Sequence, residues 1–277
     1  MSADAGRLPQ DYPPARHVLR DLQLWAESGA EPPRAGIPVV PALFGAGGAC
    51  GAGAIAVLVD AVAGGAALRA SPASWIATSD LRLHQLAPAR GGELVASAEA
   101  LRSGRTNVVL EVEVRGEGAL VAQATVAFSR LEAKGEYQQR PRDERPGRIS
   151  FAAPGAGFAQ PFAAAIGARV VDPAAGALEL PLVPYVGNSL GGLQGGIAMA
   201  LLDLAAEAAG AAALGRPAAT RDLAVHFLAI GRSGPMRTRA TLLRQTADGA
   251  LLRIESRDAG AGDRLCTVAS ATVGVLA

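Results

Sequence analysis

The sequence predicts an α+β fold that is built twice, with two antiparallel sheets that each wrap around one long apolar helix. Three observations predict it. A block of turn, helix and strand recurs along the chain, each copy holds a helix that is apolar on every side, and long segments alternate between apolar and polar residues. A helix without a polar face must be covered all round, and a curved sheet can cover it.

The repeat is visible in three blocks that keep the same order. ATSDLRLH begins at Ala77 and ATRDLAVH begins at Ala219, an offset of 142 (219 minus 77). IPVVPALFG precedes LPLVPYVGN by 143 residues (180 minus 37), and Asp60 precedes Asp203 by the same 143. Chance explains three matched blocks poorly. We therefore expect two copies of one unit, related by a pseudo-twofold axis.

Each unit has the same predicted order of elements. An extended segment near 16–25 or 167–184 comes first, and a glycine-rich turn then leads into the apolar helix at about 53–69 or 196–213. Antiparallel strands complete the units, near 75–87, 92–102, 106–115 and 119–131 in the first and near 218–230, 235–245, 249–257 and 263–275 in the second.

The predicted domains are residues 1–131 and 161–277, joined by a linker over 132–160. The linker contains EAKGEYQQRPRDERPGR, which is polar, charged and interrupted by prolines. We interpret this linker as a solvated connector without a binding role.

Composition excludes several classes of function. The formal net charge of +1 gives no electrostatic basis for binding nucleic acid or an acidic membrane surface. The two cysteines, Cys50 and Cys266, form neither a disulfide framework nor a metal-binding spacing, which suits a reducing cytoplasm. Each long apolar segment contains an aspartate, which costs a membrane-spanning helix roughly 3 kcal/mol. We expect a soluble, cytoplasmic protein.

The second apolar helix begins in the stretch NSLGGLQGGIAMALLD, from Asn188 to Asp203. The first N–H groups of a helix lack partners and carry positive character, and glycines let a ligand approach them. Asp203 lies eight residues beyond Gly195, about 12 Å along the axis, and cannot serve its own turn. If the two helices pack antiparallel, each aspartate meets the turn of the other half.

This packing predicts one well-equipped site. It combines Asp60 of the first half with Asn188, Gln194 and Gly195 of the second-half turn. The side chains of Asn188 and Gln194 are hydrogen-bond donors, and the backbone N–H of Gly195 is an oxyanion donor. Thr78, on the strand after the first helix, is expected to hydrogen-bond Asp60 or a water that Asp60 holds.

The second candidate site is poorer. It pairs Asp203 with Thr220 and with the first-half turn FGAGGACGAG. Gly45 and Gly51 stand there in place of Asn188 and Gln194, so both side-chain donors are missing. We expect one competent site.

Simple alternation along the first repeated strand predicts which side chains share a face. Thr78, Asp80, Arg82 and His84 are expected on one side, with Leu81 and Leu83 on the other side against the helix.

The pattern N-x5-Q-G-G-x6-D, together with the A-T-x-D-L strand, resembles the hot-dog acyl-CoA thioesterases of the phenylacetate-pathway type. The resemblance covers nearly the whole chain as two tandem hot-dog units, and it is clearest at 188–203 and 77–88. The histidine of the family's His-Gly-Gly turn is Gln194 in this chain. Double hot-dog thioesterases of another branch use Asp, Thr and Gln, which Asp60, Thr78 and Gln194 resemble in type.

The resemblance implies hydrolysis of an acyl-CoA thioester. Gly195 N–H would polarise the thioester carbonyl, and Asp60 would act as a general base on water or as a direct nucleophile. Thr78 and Gln194 would position the water, and Asn188 would orient the acyl group or the turn. The implied mechanism needs no metal and no cofactor other than the coenzyme A of the substrate.

Two arginines are candidates for the phosphates of coenzyme A. Arg102 and Arg105 lie in LRSGRT, a predicted hairpin, where an arginine is more often simply solvated.

The sequence contains 4% aromatic residues, so it does not predict an aromatic-lined pocket. Exposed sheet surfaces favour association into a homo-oligomer.

Two other functions fit the same fold. A non-catalytic acyl-CoA binding or regulatory protein is the first, because the histidine is missing and the first-half turn lacks its donors. A dehydratase or hydratase is the second, but it needs a histidine together with an aspartate or glutamate at the substrate. His17, His84 and His226 stand in no such pattern.

Overall fold

The computed structural model describes residues 11–139 and 147–274. The described helices are α1 (Val18–Asp21), α2 (Ala52–Arg69), α3 (Glu136–Gln139), α4 (Phe162–Ala165) and α5 (Gly195–Leu214). The strands of the first half and the linker are β1 (Trp25–Ser28), β2 (Arg34–Pro38), β3 (Trp75–Gln85), β4 (Glu93–Ser103), β5 (Asn107–Gly116), β6 (Ala119–Leu131) and β7 (Gly147–Ser150). Those of the second half are β8 (Arg169–Asp172), β9 (Ala177–Leu180), β10 (Ala219–Phe227), β11 (Met236–Gln245), β12 (Gly249–Asp258) and β13 (Arg264–Gly274).

The described strands form one antiparallel sheet, where the sequence predicts two. Its order is β7-β1-β2-β4-β5-β6-β3-β10-β13-β12-β11-β9-β8. The two halves join because β3 and β10 pair edge to edge, which satisfies backbone groups that an open edge would leave unpaired. Alternation within each half gave no signal for this pairing between halves.

The β3–β10 junction is nearly symmetric. Asp222 pairs with His84, and His226 pairs with Asp80. Adding the repeat offset of 142 to Asp80 and His84 gives Asp222 and His226, so each pair joins the aspartate of one half to the histidine of the other. The side chains pair as well: His84 Nδ1 lies 2.6 Å from Asp222 Oδ1, and His226 Nδ1 lies 2.5 Å from Asp80 Oδ1. The contacts across the β3–β10 junction are therefore reciprocal.

The long helices α2 and α5 lie side by side at the centre of the fold. A Cβ on Gly53 would meet Ala200 Cα at 2.7 Å, and a Cβ on Gly196 would meet Val57 Cα at 2.5 Å. The residue numbers sum to 253 in both contacts (53 plus 200, and 196 plus 57). Residue numbers therefore rise along one helix as they fall along the other, so the two helices are antiparallel. Glycine at these two positions lets the backbones approach each other closely.

The predicted helices and the eight long strands agree with the structure to within about three residues at each end. The prediction of an extended segment near 16–25 is partly wrong, because α1 forms a helical turn there before β1. His17 caps this turn: its Nδ1 accepts a hydrogen bond from Leu19 N–H at 3.2 Å. Burial lowers the pKa of His17 to about 4, so the imidazole is neutral at neutral pH and can accept.

The linker is more than a solvated connector. Strand β7 pairs with β1 and extends the edge of the sheet, with Ser150 opposite Trp25. Helix α3 packs onto the second-half turn, because Gln138 Nε2 donates to Ser189 O at 2.8 Å. Residues 140–146 of the predicted linker lie outside the described residues.

Helices α2 and α5 are long and apolar enough to cross a membrane, judged by length and composition alone. However, 72% of the α2 window and 61% of the α5 window are buried inside the fold, and core helices of soluble proteins pass the same test. Each helix packs against strands of its own half and against the other helix. This burial is what a core position predicts.

Candidate active site

Asp60 lies in the ninth position of α2, and its buried carboxylate reaches the start of α5. Its Oδ2 accepts hydrogen bonds from the backbone N–H of Gly196 at 3.0 Å and from Gln194 Nε2 at 3.2 Å. Its Oδ1 accepts a hydrogen bond from Thr78 Oγ1 at 2.8 Å. The acid of one half therefore meets the turn of the other half, as antiparallel packing of the two helices predicts.

Thr78 reaches Asp60 because of a β-bulge that simple alternation does not show. The register between β3 and β6 shifts between Thr78 and Asp80. The extra residue turns Thr78 toward the helix, whereas Asp80 points to the outer face and bonds His226. The prediction that Thr78 and Asp80 share a face is therefore wrong. The same shift occurs between Thr220 and Asp222 in the second half.

Gln194 connects the helix start to the carboxylate. It is the N-cap of α5, and its Oε1 accepts from the backbone N–H of Ile197 at 2.9 Å. Because Oε1 is held by the helix, Nε2 of the same amide points to Asp60. The glutamine thus both caps the helix and binds the carboxylate.

Gly195 is the first residue of α5 and carries the free donor of the site. Among the described residues no group accepts a hydrogen bond from its backbone N–H. A Cβ at this position would lie 2.8 Å from both Asp60 Oδ1 and Thr78 Oγ1. Only glycine allows the helix start and the carboxylate to stand this close, with a free N–H beside them.

Burial and hydrogen bonds act in opposite directions on the pKa of Asp60. Desolvation by burial raises the pKa above the usual 3.8, while the hydrogen bonds from Thr78 and Gly196 lower it. Burial outweighs the hydrogen bonds, so Asp60 holds its proton more tightly than an exposed aspartate. A raised pKa makes the carboxylate of Asp60 a stronger base than an exposed aspartate, which suits it to proton transfer.

Asn188 is grouped with Asp60 in the sequence, but in the described part of the chain its side-chain hydrogen bonds go to the turn and not to Asp60. Its Oδ1 accepts from the backbone N–H groups of Leu190 and Gly192, at 2.9 and 3.0 Å. Its Nδ2 donates to Leu193 O at 2.8 Å. Asn188 therefore shapes the turn that precedes α5, which is one of the two roles that the sequence leaves open.

Asp203 shows the reciprocal contact with fewer donors. Its Oδ2 accepts from the backbone N–H of Gly53 at 2.7 Å. Thr220 lies close enough to lower the pKa of Asp203, which burial raises, but the two form no well-aligned hydrogen bond. Asp203 Oδ1 and Thr220 Oγ1 are both buried without a partner among the described residues. In the described part of the chain, Asp60 accepts three well-aligned hydrogen bonds and Asp203 accepts one.

Glu207 occupies the space beside Asp203. It lies one turn further along α5, and its Oε1 would be 3.0 Å from a Cβ on Gly45 of the first-half turn. Burial and the charge of Asp203 raise the pKa of Glu207 to about 8. The position equivalent to Glu207 in the first half is Gly64 (207 minus 143), which has no side chain.

Comparisons with known proteins add to this geometry. Residues 47–122 match the family model described as the Thioesterase superfamily, a stretch that includes both Asp60 and Thr78. The match lies on the first half, although the second-half turn carries the clearer motif. No curated protein matches the sequence.

Solved structures resemble the chain over nearly its whole length. Acyl-CoA thioesterase II TesB2 from Mycobacterium marinum is 15% identical, with a TM-score of 0.61 over 94% of this chain and 98% of that one. A conserved protein with a hot-dog fold from Alicyclobacillus acidocaldarius, of unknown function, is also 15% identical, with a TM-score of 0.59 and the same coverage. The tesB protein of Mycobacterium avium subspecies paratuberculosis is 15% identical, with a TM-score of 0.58 over 88% and 93%.

The chain has the hot-dog fold. At these identities the likeness establishes the fold alone, and activity must be argued from the site.

A cavity of about 480 Å³ opens against Asp60 in this hot-dog chain. Gly64 and Gly195 line it, whereas Asp203 and Glu207 do not. The volume lies within the range of about 300–1,000 Å³ typical of small-molecule sites. The open space is therefore at the better-equipped carboxylate, and the matching space at Asp203 is occupied by Glu207.

Aromatic side chains form part of the cavity wall, which the aromatic content of the sequence does not predict. Tyr137 of the linker packs edge-on against Trp75, with ring centroids 5.8 Å apart, and lies 6.1 Å from the ring of Tyr12. All three line the cavity. They come from three separate segments, so no local pattern joins them. Sequence reasoning missed this aromatic wall, because the three residues come together only in the folded chain.

Arg102 and Arg105 do not line the cavity. Both are exposed in the hairpin between β4 and β5. In the sheet order, β4 is separated from β3 by β5 and β6, and the hairpin lies at the end of the sheet where β3 begins. Within residues 11–139 and 147–274, no cluster of three or more His, Cys, Asp or Glu side chains is arranged to hold a metal ion.

Proposed function

We propose that the chain is a thioesterase that hydrolyses acyl-CoA at the Asp60 site. One observation carries the proposal: the same cavity is lined by Asp60, which has a buried carboxylate, and by Gly195 at a helix start, whose backbone N–H has no acceptor among the described residues. A carbonyl bound in this cavity would have an oxyanion donor on one side and a base or nucleophile on the other.

Gly195 N–H would receive the thioester oxygen. It is the first N–H of a 20-residue helix, so the helix dipole adds to its positive character. The N–H of Gly196 is bonded to Asp60 and that of Ile197 to Gln194, so the Gly195 N–H remains for the substrate. Loss of one such donor typically costs about 2.7–4 kcal/mol of transition-state stabilisation.

Asp60 would act as a general base on water. A carboxylate offers about four acceptor positions, and Thr78, Gln194 and Gly196 fill three of them. The remaining position can hold a water. As the water oxygen bonds to the carbonyl carbon, its proton passes to Asp60. The carbon–sulfur bond then breaks, and the proton leaves with the coenzyme A thiol.

Direct attack by Asp60 on the carbonyl is the other route. It forms a mixed anhydride and releases the thiol, and water then hydrolyses the anhydride. A single turnover in ¹⁸O-water separates the routes. The general base places the label in the product acid alone, whereas attack of water on the aspartyl carbonyl of the anhydride leaves it in Asp60, which mass spectrometry detects.

The substrate assignment rests on the cavity and on the fold. The apolar wall suits an acyl chain, while the nucleotide end of coenzyme A must stay outside a space of about 480 Å³. Arg102 and Arg105, at the same end of the sheet as the cavity, are proposed to meet the phosphates. The phenylacetate-pathway type rests on the turn motif alone, and one of the neighbours named above is an acyl-CoA thioesterase II. The length and type of the acyl group are therefore to be determined by measuring thiol release from different acyl-CoAs.

We further propose that the chain consists of two tandem hot-dog units, residues 1–131 and 161–277, joined by the segment 132–160. The equal order of elements and the reciprocal contacts of Asp60 and Asp203 support this organisation. Free cysteines support a cytoplasmic location. Association into a homo-oligomer through the outer sheet face stays a prediction.

The test is thiol release from a panel of acyl-CoAs that varies chain length and aromatic content. The proposal predicts turnover that depends on Asp60. Binding of acyl-CoA without turnover, measured by calorimetry, would contradict hydrolysis and favour the non-catalytic binding protein. Hydration of an enoyl-CoA without thiol release would favour the hydratase.

A further inference from the structure

Two hydroxyl groups in the second half lie in the cavity wall without partners. Ser256 on β12 and Thr267 on β13 are neighbours across the ladder and are 1% and 2% exposed. Both residues line the cavity. Among the described residues, neither Ser256 Oγ nor Thr267 Oγ1 has a hydrogen-bond partner. Buried hydroxyls are usually paired, and an unpaired one costs about 1–3 kcal/mol.

The next hydroxyl in the same row is paired, which makes the two exceptions informative. Thr238 on β11 stands opposite Ser256 and does not line the cavity. Its Oγ1 donates to Gly176 O at 2.8 Å and accepts from Leu178 N–H at 3.0 Å. The hydroxyl of Thr238 is thus satisfied by protein, whereas Ser256 and Thr267, which line the cavity, have hydroxyls without a partner among the described residues.

The equivalent positions of the first half carry no hydroxyls. Counted along the ladders from the repeated A-T-x-D-L strand, Ser256 corresponds to Val114 and Thr267 corresponds to Ala122, which also pair with each other. Both first-half residues are fully buried. The polar pair is therefore present only in the half whose equivalent space is part of the open cavity.

The hydroxyls are remote from the reacting centre. Thr267 pairs with Phe227 on β10, one residue beyond the pairing of His226 with Asp80 on β3. The row therefore leads to the bulge beside Thr78. With strands about 4.8 Å apart, Thr267 lies about 10 Å and Ser256 about 14 Å from β3. Apolar side chains, including Phe227 and Met236, line the cavity here as well.

We propose that the chain selects acyl groups with a hydroxyl or carbonyl group remote from the thioester, and that Ser256 and Thr267 hydrogen-bond this group. The inference rests on the proposed thioesterase function and names its substrate class. The acyl group is the source of the polar atom, because the pantetheine arm must lead out to solvent while the hydroxyls are almost fully buried.

The test compares pairs of substrates with equal chain length. Octanoyl-, decanoyl- and dodecanoyl-CoA are set against their ω-hydroxy counterparts, and kcat/KM is measured by thiol release. We expect the wild-type chain to prefer the hydroxylated partner by roughly tenfold at the best chain length, because a buried hydroxyl pair gains its missing partner.

Three variants locate the preference. Ser256→Ala and Thr267→Val, singly and together, are expected to reduce the kcat/KM ratio of hydroxylated to plain substrate to about one. Thr238→Val is the matched control: it removes a hydroxyl from the same row outside the cavity. It should lower the melting temperature and leave the ratio unchanged.

Three outcomes would overturn the inference. Equal turnover of plain and hydroxylated substrates by the wild-type chain is the first. A uniform loss over all acyl groups in the single variants, with wild-type melting temperatures, is the second and would assign the pair to the pantetheine arm. A wild-type ratio that persists in both single variants is the third. Absence of any turnover would instead contradict the proposed function itself, which the plain substrates test separately.

Discussion

Gly64 and Glu207 occupy equivalent positions, one helical turn beyond Asp60 and Asp203, and they divide the pseudo-symmetric fold into an open and a closed site. Gly64 lines the large cavity, whereas the carboxylate of Glu207 lies against the first-half turn at Gly45. Both halves contain the acid. The difference in access comes from the residue four positions later.

A side chain at Gly64 is expected to close the open site. Gly64→Glu copies the arrangement at Asp203 and should abolish acyl-CoA binding, measured by calorimetry. Gly64→Ala should reduce kcat/KM far less, because its Cβ would make an ordinary contact with Phe128 at 3.9 Å. Alanine also favours the helix by about 1 kcal/mol, so the melting temperature of Gly64→Ala should rise. Equal losses in the two variants would contradict the steric explanation.

A methyl group at Gly195 is expected to disable the chemistry. Gly195→Ala places a Cβ 2.8 Å from Asp60 Oδ1 and Thr78 Oγ1, so the carboxylate or the helix start must move. A displacement of about 1 Å typically lowers the rate roughly 100-fold. The control is Gly91→Ala, where a Cβ meets no atom within 4 Å. Normal kcat/KM in Gly195→Ala would show that catalysis does not need the close approach of this helix start to the Asp60 carboxylate.

Thr78→Val is expected to shift the acid limb of the pH–rate profile to higher pH. The Thr78 hydroxyl donates to Asp60 and lowers its pKa, so its loss raises that pKa further. Because the base must be deprotonated, activity then appears at higher pH than in the wild-type chain. Thr220→Val is the matched control, since it lies beside Asp203. A shift in Thr220→Val and none in Thr78→Val would reverse the assignment of the working site.

Glu207 is expected to make stability depend on pH. Its pKa is raised from 4.5 to about 8, so the folded chain keeps a proton that the unfolded chain loses. The contribution to the free energy of unfolding is therefore fully present below pH 4.5 and declines as the pH rises toward 8.

Glu207→Gln is expected to remove this pH-dependent decline in the free energy of unfolding. Its advantage over the wild-type chain should grow between pH 4.5 and 8, to a maximum on the order of 1–4 kcal/mol, and then level off. Urea unfolding at several pH values measures the difference. A difference that does not change with pH would show that Glu207 titrates as an exposed glutamate.

The sequence predicts the units of this fold better than their assembly. The repeat and the length of the apolar helices place α2, α5 and the eight long strands, and the distance from Asp203 to its own turn predicts the crossed contacts. The pairing of β3 with β10 was not predicted, because nothing within one unit indicates which edge meets the other copy.

The site shows the same division. Asp60, Thr78, Gln194 and Gly195 come together as the sequence predicts, although a bulge is needed to turn Thr78 inward. Such a one-residue shift leaves no mark on an alternating pattern. The aromatic wall and the hydroxyl pair depend on contacts between distant segments, which a single sequence does not reveal.

The central claim is that one carboxylate of the symmetric pair performs the chemistry. The most direct measurement is thiol release from the best acyl-CoA by the wild-type chain, Asp60→Asn and Asp203→Asn, with melting temperatures to verify folding. The account predicts that Asp60→Asn lowers kcat by roughly three orders of magnitude or more, while Asp203→Asn stays within a few-fold of the wild-type value. Full activity in Asp60→Asn, or loss confined to Asp203→Asn, would contradict it.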